Sequence, residues 1–119
     1  MIEDNRDTAL TVKALLKLHG FEVEIEFTGP GGVEAARRTR PNIVLCDIGL
    51  PGMDGFAVAN ALRAEPSTAD AYLIAQSGYG RDEDRQKAYD AGFDLHLTKP
   101  VDFSELQRVL ATLPAPSNR

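Results

Sequence analysis

Tryptophan is absent from the 119 residues, and cysteine occurs once, at Cys46. A single thiol cannot close an internal disulfide, so packing has to hold the fold, and a reducing compartment is expected, the cytoplasm. Cys46 lies inside an apolar run and reads as a small buried strand residue, not a reactive thiol. Basic residues are fewer than acidic ones, 13 against 18, for a net charge of -5. That balance argues against a face that grips nucleic acid. No apolar run approaches a membrane span, and no stretch has the pattern of a signal peptide. The phosphate-binding patterns G-x-x-x-x-G-K-[ST] and G-x-G-x-x-G after a strand are both missing. No histidine or cysteine is placed as a nucleophile.

The length suits one domain, and a hydrophobic fraction of 43% supplies a core. The chain is organised around Ile43-Val44-Leu45-Cys46-Asp47, an apolar run that ends on an aspartate and breaks into Ile48-Gly49-Leu50-Pro51-Gly52-Met53-Asp54-Gly55. Such a run, bounded by turn residues, predicts a strand buried on both faces with Asp47 at its carboxyl end. A carboxylate there needs compensation.

In chain order, Met1-Ile2-Glu3-Asp4 predicts the stub of a strand, shorter than the usual five or so residues. A helix follows over residues 5–19, capped by Asn5 or Asp4, with Ala9, Val12, Leu15, Leu16 and His19 near one stripe and Gly20 at its end. His19 reads as a helix-end residue without a chemical task. Residues 22–27 alternate strictly and predict a strand with one wet face. Residues 30–40 predict a helix between Pro30 and Pro41. Further helices are expected over 55–65 and 81–91, the latter so polar that only Ala88, Ala91 and Tyr89 offer apolar surface. Strands are expected over 72–75, ending at Gln76-Ser77-Gly78, and over 95–98, where alternation again predicts an edge. Asp102 and Glu105 resemble a capping box opening a last helix that runs to Leu113. Residues 1–113 form the expected domain, and 114–119 a tail or linker.

Five strand-helix repeats predict an α/β fold, a doubly wound parallel sheet in the order 2-1-3-4-5. That order brings Glu3, Asp4 and Asp47 together at the switch point. Three carboxylates in one place need a cation, and oxygen ligands at a shallow hydrated site suit Mg²⁺. Lys99 and Ser77 end neighbouring strands and add an ammonium and a hydroxyl. Together these groups form a clamp for a phosphoryl group, and the remaining nucleophile is Asp47 itself.

Glu3-Asp4, Asp47 with Leu50-Pro51-Gly52-Met53-Asp54-Gly55, Ser77-Gly78 and Lys99-Pro100 stand in the order and spacing of a response-regulator receiver domain of bacterial two-component systems, which the chain resembles over almost its whole length. Ser77-Gly78-Tyr79-Gly80 and Ala91-Gly92-Phe93-Asp94 are similar to receiver modules of hybrid sensor histidine kinases. The resemblance implies a flavodoxin-like (βα)5 fold and a switch, not an enzyme with a turnover substrate. It implies that Asp47 accepts a phosphoryl group from the phosphohistidine of a histidine kinase or histidine phosphotransfer protein. Asp4 and Asp47 would ligate Mg²⁺ directly, Glu3 through water, and Gly49 by its backbone carbonyl. Lys99 would pair with the phosphoryl group, Ser77 would move to bond it, and Lys99-Pro100 would be a cis peptide. It further implies repacking of the 81–113 face, and a monomer or weak dimer.

The family usually carries Tyr or Phe three residues before the lysine, and here that position is His96. Two readings stand: a solvent-facing histidine on an edge strand, or a polar switch with altered coupling to Ser77. Two other functions also stand. One is a receiver-like scaffold that no longer needs phosphorylation. The other is a Mg²⁺-dependent aspartyl phosphohydrolase, against which Gly49 replaces the second aspartate such enzymes carry.

Overall fold

The computed structural model describes residues 1–50, 52–78, 82–99 and 102–112. Helix α1 (Arg6–Leu18) starts where the Asn5 side chain accepts a hydrogen bond from the Thr8 amide at 3.1 Å. It ends where Gly20 takes φ +89°, a conformation that favours glycine. The Gly20 amide then donates to the Lys17 carbonyl and the Phe21 amide to that of Leu16, satisfying carbonyls the helix leaves open. Helix α2 (Gly29–Thr39) is capped by Thr28 and has Pro30 in its first turn. Helix α3 (Gly55–Ala64) is capped by the Asp54 carboxylate. Helices α4 (Asp82–Ala91) and α5 (Phe103–Thr112) complete the set. Asp102 caps α5 through the Ser104 amide, one half of the expected capping box.

Three parallel strands, β1 (Ile43–Asp47), β2 (Tyr72–Ser77) and β3 (Leu95–Thr98), pair in the order β1-β2-β3. Ile2 extends the sheet beyond β1, bridging in parallel to both Cys46 and Glu26. The segments therefore lie in the order 24–26, 1–3, β1, β2, β3, which is the expected 2-1-3-4-5 arrangement of a flavodoxin-like fold. The strand expected over 22–27 reduces to the bridge at Glu26 among the described residues. Among the described residues its backbone meets Met1–Glu3, through the Met1 amine to the Glu24 carbonyl, the Glu26 amide to Met1, and the Glu3 amide to Glu26. A ladder needs a partner of its own length. Strand β2 runs two residues further than expected, through Gln76 and Ser77. Arg81, the residues 79–80 and 100–101, and everything from Leu113 onward, including the expected tail, lie outside the described residues.

The two faces of the sheet carry separate cores. Leu45, Ile74 and Leu97 pack with Leu16 of α1 and with Leu106 and Leu110 of α5. Val44, Cys46, Leu73 and Ala75 pack with α2 and α3 through residues such as Val33, Val58 and Leu62, and with Ala88 of α4. Ala88 is fully buried, while Tyr89 remains 41% exposed. Helix α4 is thus attached through little apolar surface, as its composition predicts.

One side chain secures the amino-terminal edge of the sheet. Arg63 at the end of α3 donates from Nε to the Gly92 carbonyl at 2.9 Å and from one terminal nitrogen to the Ala69 and Ala71 carbonyls. Its other terminal nitrogen meets Asp94 Oδ2 at 2.7 Å. Gly92 has φ +114°, and a Cβ there would stand 2.8 Å from Arg63 Cγ, so only glycine suits this crossing. Arg63→Ala leaves three carbonyls and a carboxylate without this donor and should cost about 2–3 kcal/mol. Arg63→Lys should recover less than half, because an ammonium cannot reach in three directions. Denaturant unfolding measures both, and an Arg63→Lys midpoint equal to wild type would refute the account.

Candidate functional site

The site forms because the sheet order carries three distant segments to one edge. Asp47 is the last residue of β1 and 6% exposed. Glu3 follows Ile2, which is hydrogen-bonded between Leu45 and Asp47, and its side chain is fully buried. Lys99 follows β3, and its amide donates to the Ser77 carbonyl at 2.7 Å, which ties its position to the end of β2. From there Lys99 Nζ donates to Asp47 Oδ2 at 2.7 Å and to Glu3 Oε1 at 2.9 Å. The Gly49 amide donates to Asp47 Oδ1 at 2.8 Å, so the turn after β1 folds back over the carboxylate.

These contacts set the protonation of the cluster. Burial pushes the Glu3 carboxyl up, and neighbouring Asp47 adds to this against the opposing pull of Lys99, giving a value of about 7. Burial would also raise Asp47, but hydrogen bonds from Glu3, Lys99 and the Gly49 amide outweigh it and hold Asp47 below the usual aspartate range. Burial works against the Lys99 ammonium, yet Asp47 and Glu3 hold its pKa above the ordinary lysine value. Asp47 is therefore the carboxylate that stays ionised. Cys46 beside it is completely buried, with its thiol pushed up to about 12, and is inert, as its place in the strand predicts.

Glu3, Asp4 and Asp47 each offer a carboxylate oxygen, and these lie within 4.8 Å of one another. Asp4 is exposed, so one side of the cluster is open to water. Glu3 Oε2 is buried without a hydrogen-bond partner among the described residues. An all-oxygen set, half hydrated and carrying more negative than positive charge, fits a hard cation of the Mg²⁺ type.

Ser77 ends β2 on the opposite face of the sheet from Gln76, and its Oγ lies 2.9 Å from His96 Nε2. His96 is 6% exposed, so the solvent-facing alternative is overturned. Alternation along residues 95–98 marks an edge strand, but being an edge concerns the hydrogen-bonding direction, and helices cover both faces of β3. Burial, aided by the Arg85 guanidinium, lowers the His96 pKa against the weaker opposing effect of Asp84. The expected cis peptide at Lys99-Pro100 falls outside the described residues. Gln76 escaped sequence reasoning. It pairs in register with Asp47, is 2% exposed, and its Nε2 has no partner among the described residues. A glutamine closing an apolar strand was the available signal.

The family model of the response regulator receiver domain matches residues 1–111. The DNA-binding dual master transcriptional regulator RpaA of Synechocystis is 33% identical over 114 residues, which cover 95% of this chain and 47% of that protein. The chain thus spans about half the length of that relative. The receiver domain of the sensor histidine kinase PA1611 of Pseudomonas aeruginosa, solved with magnesium in its active-site cleft, is 31% identical. It superposes with a TM-score of 0.84 over 92% of this chain and 89% of that one. Chemotaxis protein CheY4 of Vibrio cholerae shares the fold at a TM-score of 0.89 and 22% identity, over 95% of this chain and 94% of that one. No helix among the described residues is long and apolar enough to cross a membrane.

Glu3 gives the metal-free protein a distinctive pH dependence. Its carboxyl is raised from 4.5 to about 7, so the folded state holds its proton more tightly than the unfolded chain. The stability this confers is present below about 4.5 and lost as pH rises through about 7. Asp47, shifted downward, contributes in the opposite sense and only at more acid pH. Glu3→Gln should flatten the loss and be more stable than wild type at pH 8 by about 1–3 kcal/mol. Chemical unfolding in metal-free buffer at pH 5 and pH 8 measures this, and an equal loss in both proteins would refute it.

Proposed function

The chain belongs to the response regulator receiver domain family, and from that membership we propose that it is a phosphorylation switch whose acceptor is Asp47. The observation that carries the reading is the Lys99 ammonium bound to both Asp47 and Glu3 in a cluster of three carboxylates. The donor would be the phosphohistidine of a histidine kinase or histidine phosphotransfer protein. An Asp47 carboxylate oxygen attacks phosphorus, the nitrogen–phosphorus bond breaks with its electron pair going to nitrogen, and the donor's imidazole, already protonated on its other ring nitrogen, leaves neutral. The product is an acyl phosphate on Asp47.

Each residue has a task in this step. Glu3, Asp4, Asp47 and the Gly49 backbone carbonyl would hold the Mg²⁺ ion. When bound, that ion supplies positive charge against the phosphoryl oxygens. Lys99 lies 2.7 Å from the acceptor and neutralises charge on the same group. Ser77 contributes a hydroxyl at the end of the adjacent strand. The new group adds about one to two negative charges where one ammonium already serves two carboxylates. Lys99 and Ser77 therefore shift toward it, and β3, α4 and α5 follow because Lys99 and His96 are both on that side. Helix α4, held by little apolar surface, responds most readily, and the 82–112 face presents the output. Residues 114–119 would form a tail or linker, and the domain would work in the cytoplasm as a monomer or weak dimer.

Intact mass after incubation with acetyl phosphate and Mg²⁺ should rise by one phosphoryl group in the wild type. Asp47→Ala should abolish the gain, and chelating the metal should reduce it at least about 100-fold, the weight of several kcal/mol of charge stabilisation. Lys99→Ala should still bind Mg²⁺ yet fail to shift the amide resonances of α4 on beryllofluoride addition. A mass gain that persists in Asp47→Ala would overturn the assignment of the acceptor.

A further inference from the structure

Three buried side-chain atoms have no hydrogen-bond partner among the described residues: Glu3 Oε2, Gln76 Nε2 and His96 Nδ1. The first two flank Asp47. The bridge from Ile2 to Cys46 places Glu3 beside Asp47 on one side, and the ladder between β1 and β2 pairs Asp47 with Gln76 on the other. Leu45 and Ile74, two residues earlier on the same strands, pack with α1 and α5, so Asp47 and Gln76 share that face. Neighbouring strands stand roughly 4.8 Å apart. Gln76 is therefore the β2 side chain next to Asp47. It is 2% exposed, and its amide nitrogen carries two N–H donors that no acceptor meets.

A buried amide without an acceptor is unfavourable, and folded proteins rarely keep one. Its place here fits a donor whose acceptor becomes available only later. In this state both Asp47 oxygens already have a donor. Oδ2 accepts from Lys99 Nζ at 2.7 Å and Oδ1 from the Gly49 amide at 2.8 Å. Strand β2 lies between β3 and β1, so the Lys99 side chain crosses the end of β2 to reach Asp47. The same ammonium serves Glu3 at 2.9 Å. A phosphoryl group on Asp47 brings new acceptor oxygens and negative charge that this one cation has to meet. As Lys99 turns to them, the Asp47 carboxyl group loses a donor, and the Gln76 amide stands at the adjacent register position. We propose that Gln76 is a positioning residue, which donates from Nε2 to the Asp47 carboxyl group once Lys99 has turned to the phosphoryl group. The proposal rests on the acceptor reading of Asp47. It gives the amide no bond in the resting protein and one in the modified protein, so Gln76 favours the modified state over the resting one.

Gln76→Met tests this through two readouts that should part company. The substitution keeps the length of the side chain and removes the amide. In metal-free buffer its denaturant midpoint should be no lower than that of wild type, because an unmatched buried donor has gone. Its affinity for beryllofluoride with Mg²⁺, followed by the fluorine-19 signal of the bound anion, should be weaker by about fivefold, the weight of one neutral hydrogen bond. A residue that only fills space would not lose affinity while keeping stability. A third measurement needs no variant. In the wild type, the side-chain amide protons of Gln76 should move downfield on beryllofluoride addition, as a newly formed hydrogen bond requires. A Gln76→Met protein that unfolds or has a lower midpoint, an unchanged affinity, or Gln76 amide resonances that stay in place would overturn the proposal. A wild type that neither binds beryllofluoride nor gains mass from acetyl phosphate would overturn the acceptor reading and this inference with it. That failure is distinguishable, because the failure of this inference alone leaves a wild type that binds the anion.

Discussion

One ammonium holds the carboxyl edge of this sheet together. Lys99 Nζ is shared between Asp47 and Glu3, one residue nearly and the other completely removed from water. Two carboxylates in that position repel each other and lose their hydration, and neither loss is recovered by packing. The single cation is not enough for both, so Glu3 holds its proton to about neutrality while Asp47 stays ionised. The site is consequently short of positive charge by construction. A divalent cation would relieve that shortage, and any further anion placed on Asp47 would have to draw on the same lysine. Removing the lysine would leave both acids uncompensated, which makes its position a constraint on β3 as much as a chemical asset.

The fold and the charged part of the site were legible because both rest on strong local signals. Alternation around residues 25 and 96 against continuous apolar runs around 45 and 74 pointed to the strand order, and that order brought Glu3, Asp4 and Asp47 to one meeting point. His96 was less legible, because alternation along 95–98 carries no information about whether a helix covers the second face. The same alternation at 22–27 suggested a full strand, but alternation carries no information about backbone pairing, and among the described residues the pairing is a bridge at Glu26. Arg63 left no mark at all. Its acceptors are mostly backbone carbonyls up to 29 residues away, and carbonyls exist at every position. Gln76 was visible as a polar residue in an apolar strand, but its neighbour Asp47 lies on another segment, so its role needs the register.

The sheet separates the chemistry by face. Asp47 and Gln76 lie on the face covered by α1 and α5, in register with Leu97. Ser77 and His96 lie on the other face, beneath α4. Lys99 joins the two at the edge, because its side chain reaches Asp47 while its amide is bound to the Ser77 carbonyl. A change of charge at Asp47 therefore acts on one side chain and one backbone position that belong to the same residue.

The two ends of the sheet are built for different responses. At the amino-terminal edge, Arg63 binds three carbonyls and a carboxylate, and Gly92 lets its side chain pass close to the backbone. Such directional bonds resist displacement. At the carboxyl edge the stabilisation is electrostatic and shared, so it can be redistributed without breaking a packed core. Helix α4 lies across this gradient, with Ala88 fixed in the core and Glu83, Arg85, Lys87 and Asp90 exposed. A change of charge at Asp47 would therefore meet directional hydrogen bonds at one end of the sheet and a shared charge pair at the other.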